Sequence, residues 1–404
     1  MGKLKFLLVF VIVFAVAFSA VSCNNTTDDG KIVIWHDKED GVIAVLEDAV
    51  EKANLDFEVE FIRKESLTDT LKLVGNDASS APEMFIFAHD KVGLFSEIGI
   101  LEPIANVLEE GTFDDFLQIT IDAGTYKGVQ YQMPLYFETL LFMYNKDLMT
   151  ESEVPETTEQ LYSYMQENTN KTARQYGFVE QHSTAYYSAA WIQGYGGKVL
   201  LDDGSPNINS QQVIDALTYH KKFLTYMPGE GEYSTINTLF LEGMAHSIIG
   251  GPWLVPTARE AGINLGFADM PTLENGRALA PFLGVQGVHV LKHAVQSPSQ
   301  KAKVQTLLKL FSDAEISIDL ALASGCAPSQ QSCYEDSRIT ADEMVMKMRD
   351  TAINSIPMPN LPEMDVMFNV LGKLLEDVNL KNTDVATACA NWQVKAEKLI
   401  DAMK

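Results

Sequence analysis

The sequence predicts an α/β protein built as two lobes with a helical C-terminal third. Three observations carry this. Strand-like and helix-like patterns alternate from Lys31 to Phe87, which marks βαβ units and a largely parallel sheet. The alternation then resumes with different content beyond residue 140. Residues 23–404 are also too many for one compact core.

The elements follow in order. Lys31-Ile-Val-Ile-Trp35 is an apolar run of buried-strand length. Val42, Val45, Leu46, Ala49 and Val50 recur at helical spacing, predicting a helix from Val42 to Ala53. Phe57 to Phe61 alternates as a strand, Leu67 to Val74 is a short helix, and Pro82 to Phe87 is a further strand. Leu140 to Tyr144 reads as a strand crossing between lobes. Thr157-Thr-Glu-Gln160 is a capping box, opening a helix through Glu167. Val213, Ala216, Leu217, Tyr219, Phe223 and Leu224 predict one core-facing helix over Ser210–Tyr226. His246 to Gly250, Ile263 to Ala268 and Gly287 to Leu291 are short strands. From Ser299 the pattern is mostly helical, broken near Gly325 and by Pro357, Pro359 and Pro362.

The N-terminus reads as an export signal over residues 1–22. Lys3 and Lys5 precede an apolar run from Phe6 to Phe18, too short to span a membrane. Ser22-Cys23 then suits a lipoprotein peptidase, which makes Cys23 the expected lipid anchor and residues 23–30 its tether. The expected place is therefore the periplasm or cell surface. The formal net charge of −25 becomes −27 without Lys3 and Lys5. So acidic a body repels phosphate backbones, and nucleic-acid binding is not expected. Cys326 and Cys333 flank a short segment and can pair in an oxidising compartment, worth about 2–3 kcal/mol. Cys389 reads as a buried free thiol, and no cysteine has metal-ligand spacing.

Several segments then carry a resemblance. They are Lys31-Ile-Val-Ile-Trp35 with the polar loop 36–41, Ala88-His89-Asp90, and Tyr131-Gln-Met-Pro134 with Glu138 and Leu141-Phe-Met-Tyr-Asn-Lys-Asp147. Gly196-Gly197, Gly251-Pro252-Trp253, Pro281 to Val285 and Met358-Pro-Asn-Leu-Pro362 follow in the same order. The chain resembles the maltose/maltodextrin branch of the extracellular solute-binding proteins of ABC transporters. The resemblance implies a two-lobed periplasmic binding protein fold of type II, with a cleft between the lobes. It places crossings near Tyr136–Leu140, Phe282–Val288 and Cys333–Asp342. The implied lobes are 31–136 plus 286–335, and 137–285 plus 336–404. It implies capture of a small oligosaccharide by a monomer that docks on permease subunits, with no cofactor.

A sugar presents hydroxyls at its ring edges and apolar C–H faces, so its site mixes charged groups with aromatics. Asp37 and Lys38 lie on the loop after the first strand, a usual ligand position in α/β sheets, although Glu39 or Asp40 could be the acid instead. Asp90 follows the third strand, where it is either a ligand carboxylate or a helix N-cap. His89 reads as a packed structural residue. Glu138 lies in apolar surroundings, where a carboxylate is costly unless paired. Tyr186 and Tyr187 fall where the family has aromatic contacts, and one of the two can be core. Trp253, in a Gly-Pro turn, is the best stacking platform. Phe87 and Phe368 stand where the family has Trp, Thr184 where it has an acid, and Lys91 where it often has Arg. Phe368 is balanced between core and stacking, and Met358 fills space beside the sugar. These departures keep a sugar binder but open the cargo to another disaccharide such as trehalose.

Two other readings compete. An enzyme would need a pair of carboxylates across the scissile bond, and Asp90 with Glu138 could be imagined as that pair. No nucleophile elbow, phosphate loop or zinc motif accompanies them; His289 and His293 lack the neighbouring Glu of a metal helix. Neither catalysis nor a metal is expected. The second reading is a surface lipoprotein of the same fold used for adhesion or sensing.

Overall fold

The computed structural model describes residues 30–109 and 111–403. The expected signal segment, Cys23 and nearly all of the tether lie outside the described residues. Two sheets organise the fold. The first has seven strands in the order Ala327–Pro328, Met133–Thr139, Phe282–Val290, Met84–Ala88, Lys31–His36, Glu58–Arg63, with Ile356–Pro357 beside Phe282–Val290. The second has three, with Leu141–Asn145 between Ser247–Gly250 and Leu265–Ala268. Each sheet is the centre of one lobe.

The first strand shows why its apolar run is continuous. Ile32 and Ile34 face Val42, Ile43 and Leu46 of the Asp40–Ala53 helix. Trp35 faces the other way, onto Leu67, Leu71, Phe85 and Phe95. A strand covered on both faces has no solvent side to make polar. Its pairings with Glu58–Arg63 and Met84–Ala88 are parallel. The next strand, Phe282–Val290, runs antiparallel to Met84–Ala88 and to Met133–Thr139. The sheet is thus mixed, not largely parallel as the local alternation suggested. The cause is long-range: a strand returning from the second lobe is inserted between the first βαβ block and Met133–Thr139.

The crossing strand is also shifted. Leu141–Asn145 belongs wholly to the second sheet, while Thr139 pairs with Leu283 in the first. The chain changes sheets at Leu140. The predicted capping box is formed: Gln160 N–H donates to Thr157 Oγ1 at 3.2 Å, and Thr157 N–H donates to Gln160 Oε1 at 3.1 Å. The helix it opens runs Thr158–Asn168. The long helix expected over Ser210–Tyr226 is split into Gln211–His220 and a tighter turn, Phe223–Tyr226. Met227 is extended, as a residue before a proline prefers, so the helix cannot run on into Pro228.

The Cys326–Cys333 bridge is absent; both are buried free thiols, as is Cys389. Cys326 packs in the core of the first βαβ block, and Cys333 in the core around Phe137 and Val285. Their sulfurs contact different groups, Glu138 Oε2 at 3.8 Å and Ala314 O at 3.6 Å. The intervening Ala327–Pro328 pairs with Tyr136 and Phe137 and holds the two thiols in separate environments.

Candidate functional site

The candidate residues come from the ends of strands and helices in both lobes. Lys31–His36 ends at Asp37 and Lys38. Lys38 is only 7% exposed, with Nζ 2.6 Å from Asp37 Oδ1 and 5.7 Å from the centre of the Phe87 ring. This settles which acid of the loop faces inward. Glu39 is exposed at the helix N-terminus, and Asp40 is exposed and 3.4 Å from Arg63. Of the three acids, Asp37 is the one paired with Lys38.

Met84–Ala88 ends in a short helical turn, His89–Lys91. His89 is fully buried. Val285 N–H donates to its Nδ1 at 3.0 Å, which leaves the proton on Nε2 to donate to Met358 O at 2.8 Å. Burial holds it neutral by lowering its pKa. His89 therefore ties three distant segments together. Its neighbour Asp90 is half-buried, 3.1 Å from Lys91 Nζ. It makes no side-chain cap, and Lys91 also pairs with Asp365.

Glu138, on Met133–Thr139, lies between these groups. Gln286 Nε2 donates to its Oε1 at 3.4 Å, and the Cys326 thiol is 3.8 Å from its Oε2. Burial raises its pKa, and the Lys38 charge opposes that. The carboxylate is thus held at a cost, with one cation near enough to matter.

The aromatic wall comes from the second lobe. Tyr186 opens the Ala185–Gly194 helix, with its ring 5.8 Å from Tyr187, 6.3 Å from Trp253 and 6.0 Å from Phe282. Burial raises its pKa well above the usual value, and the Glu138 charge adds to this. Trp253 is 40% exposed, unusual for the largest side chain. The pKa of Tyr187 is pushed up to about 12, chiefly by burial. Tyr187 itself is 4% exposed in the second-lobe core. Of the tyrosine pair, Tyr186 packs beside Trp253 and Tyr187 is core.

Phe368 is half-buried, edge-on to Phe282 at 6.5 Å. It reaches the aromatic wall only through Phe282. Met358 is half-buried and held by its backbone to Leu283. Thr184 precedes the helix, its hydroxyl 3.5 Å from Gln181 Oε1.

Sequence reasoning missed Gln286 and Phe282. Both lie on Phe282–Val290, a strand buried throughout. A glutamine inside such a run was the available signal, because a buried amide needs a partner. The arrangement can hold a neutral polyol. Carboxylates and a lysine take hydroxyls, while Trp253 and Tyr186 offer ring faces to apolar C–H surfaces.

The family described as bacterial extracellular solute-binding protein matches residues 46–347. A maltotriose-binding protein of Pyrococcus abyssi is 27% identical, covering 90% of this chain and 81% of that protein. A galactooligosaccharide-binding protein of Bacillus subtilis is 26% identical, covering 96% and 97%. The crystal structure of a cyclo/maltodextrin-binding protein with maltotetraose superposes with a TM-score of 0.85 at 25% identity, covering 93% and 98%. The chain belongs to the bacterial extracellular solute-binding proteins.

Proposed function

We propose that this chain is the binding component of an ABC sugar importer, capturing a small malto-oligosaccharide between its lobes. The observation that carries the reading is Trp253. A 40% exposed indole lies beside Tyr186, with ring centres 6.3 Å apart, and Tyr186 in turn feels the charges of Glu138 and Asp90. A core explains the exposure poorly; a stacking platform explains it well. The similar proteins that bind maltotriose and maltotetraose support the same class of cargo.

In this reading one lobe is built on the seven-stranded sheet and the other on the three-stranded sheet, with the chain changing sheets at Leu140. The sugar enters the open form, its edges on the charged groups and its face on Trp253 and Tyr186. Contacts made only when the lobes close shift the population toward closure. The closed form docks on the permease, as a monomer held to the membrane by lipid on Cys23. Phe87, Met358 and Phe368 trim the ends of the site.

A thermal-shift screen of residues 24–404 tests this, with maltose, maltotriose, trehalose and a galacto-oligosaccharide. A sugar at 100 times its Kd adds about 2.7 kcal/mol and raises Tm. A rise with the maltose series supports the reading; a rise with galacto-oligosaccharide alone reassigns the cargo. No rise with any sugar on folded protein overturns it in favour of the adhesion or sensing role.

A further inference from the structure

A cavity of about 380 Å³ lies next to the candidate site but shares none of its charged residues. Its size is within the range of small-molecule pockets. Phe282 stands between the two: its ring packs on Tyr186 and also lines the cavity. The Ala185–Gly194 helix serves both as well. Tyr186 and Gln193 are seven residues apart on one face, so Gln193 sits about 10 Å further along the axis.

The walls are apolar, from residues such as Ile192, Val199, Leu200 and Ile356. The polar side chains around them are mostly engaged. Asn360 Nδ2 donates to Ala123 O and Thr125 O at 2.9 and 2.8 Å. Tyr126 O–H donates to Glu97 at 2.7 Å, and Lys198 bonds Asp202 at 3.1 Å. Gln193 differs. It is 5% exposed, and both its Nε2 and its Oε1 are without a hydrogen-bond partner. A buried amide left so is unfavourable, and a native chain keeps few of them.

A carboxamide offers a donor and an acceptor side by side. Its complement is another cis N–H and C=O pair, which closes two hydrogen bonds at once. A polyol would leave hydroxyls unpaired against these walls. We propose that this cavity is a second ligand site, for a small apolar molecule carrying a primary amide or lactam edge that pairs with Gln193.

The test is calorimetric titration of residues 24–404 with 2-naphthamide and, separately, with 2-acetylnaphthalene, which is equally neutral and keeps the ring and carbonyl but lacks the donor. Each is run with and without saturating maltotriose. The expected result is one molecule of 2-naphthamide bound, at least tenfold tighter than 2-acetylnaphthalene and not displaced by maltotriose. Gln193→Leu should weaken it tenfold or more, and Ala189→Phe, which fills the cavity, should abolish it; both variants should keep the wild-type circular dichroism. Equal binding of the two naphthyl probes overturns the role of Gln193, and needs no variant to fold. Displacement by maltotriose overturns a separate site. A protein that binds maltotriose but not 2-naphthamide overturns this inference and leaves the sugar reading standing. One that binds only 2-naphthamide supports it and counts against the sugar reading.

Discussion

Gly251 is a glycine because Trp253 lies over it: a Cβ there would stand 2.3 Å from Trp253 Cη2. The turn places the indole back on its own backbone and so fixes the ring plane. Gly251→Ala should tilt the ring and weaken sugar binding at nearly unchanged fold. Trp253→Ala should weaken binding by about 2–4 kcal/mol, as for a central aromatic anchor. Calorimetry with the best sugar from the screen reads both. Wild-type affinity in Trp253→Ala would remove the stacking role.

Glu138 should trade stability for binding. Its pKa is raised by burial. For an acid, a raised folded pKa means that ionisation favours the unfolded chain. Stability from this group is therefore full below the ordinary value of 4.5 and is lost as pH rises through the folded value. Glu138→Gln should melt higher than wild type at pH 7 and equally at pH 4. The same change should weaken sugar binding by about 1.5–3 kcal/mol, the worth of a hydrogen bond to a charged group. Melting curves and titrations at the two pH values separate the effects.

His289 should make the protein acid-sensitive. It is fully buried and stacked on Phe85 at 4.6 Å, and burial lowers its pKa to about 3. A depressed histidine contributes stability that is present above its ordinary value of 6.5 and lost as pH falls toward the folded value. Urea midpoints should therefore drop between pH 6.5 and 3. In His289→Leu the drop should be shallower over that window. Parallel slopes would show that other groups carry it.

Thiol counting tests the cysteine assignment. Cys326, Cys333 and Cys389 are all free. Unreduced protein of residues 24–404, denatured and treated with a thiol reagent, should react at three positions. A single reactive thiol would restore the bridge between Cys326 and Cys333.

Much of the first lobe was legible because its elements are local. The Ile32, Ile34 and Trp35 strand and the Val42 to Ala49 helix each announce themselves within a few residues. The insertion of Phe282–Val290 beside Met84–Ala88 was not legible, because strand pairing across some 200 residues leaves no local trace. The site divides in the same way. Trp253 and Glu138 stood out as residues misplaced for a core. Tyr186 and Tyr187 could not be told apart, because which face a helix buries depends on what it packs against. The pairing of Cys326 with Cys333 failed for a related reason: nearness in sequence says nothing of the side of a sheet on which each lies.

The inserted strand also governs when the chain can fold. Phe282–Val290 supplies the partner for the free edge of Met84–Ala88 and for Met133–Thr139. During synthesis, the first βαβ block exists for some 200 residues with that edge open. An unpaired edge invites pairing with other chains. The first lobe cannot be completed by N-terminal residues alone, and a fragment ending before Phe282 should aggregate rather than behave as a domain. A chain that cannot close its first lobe until most of it has been made completes that lobe only late in synthesis.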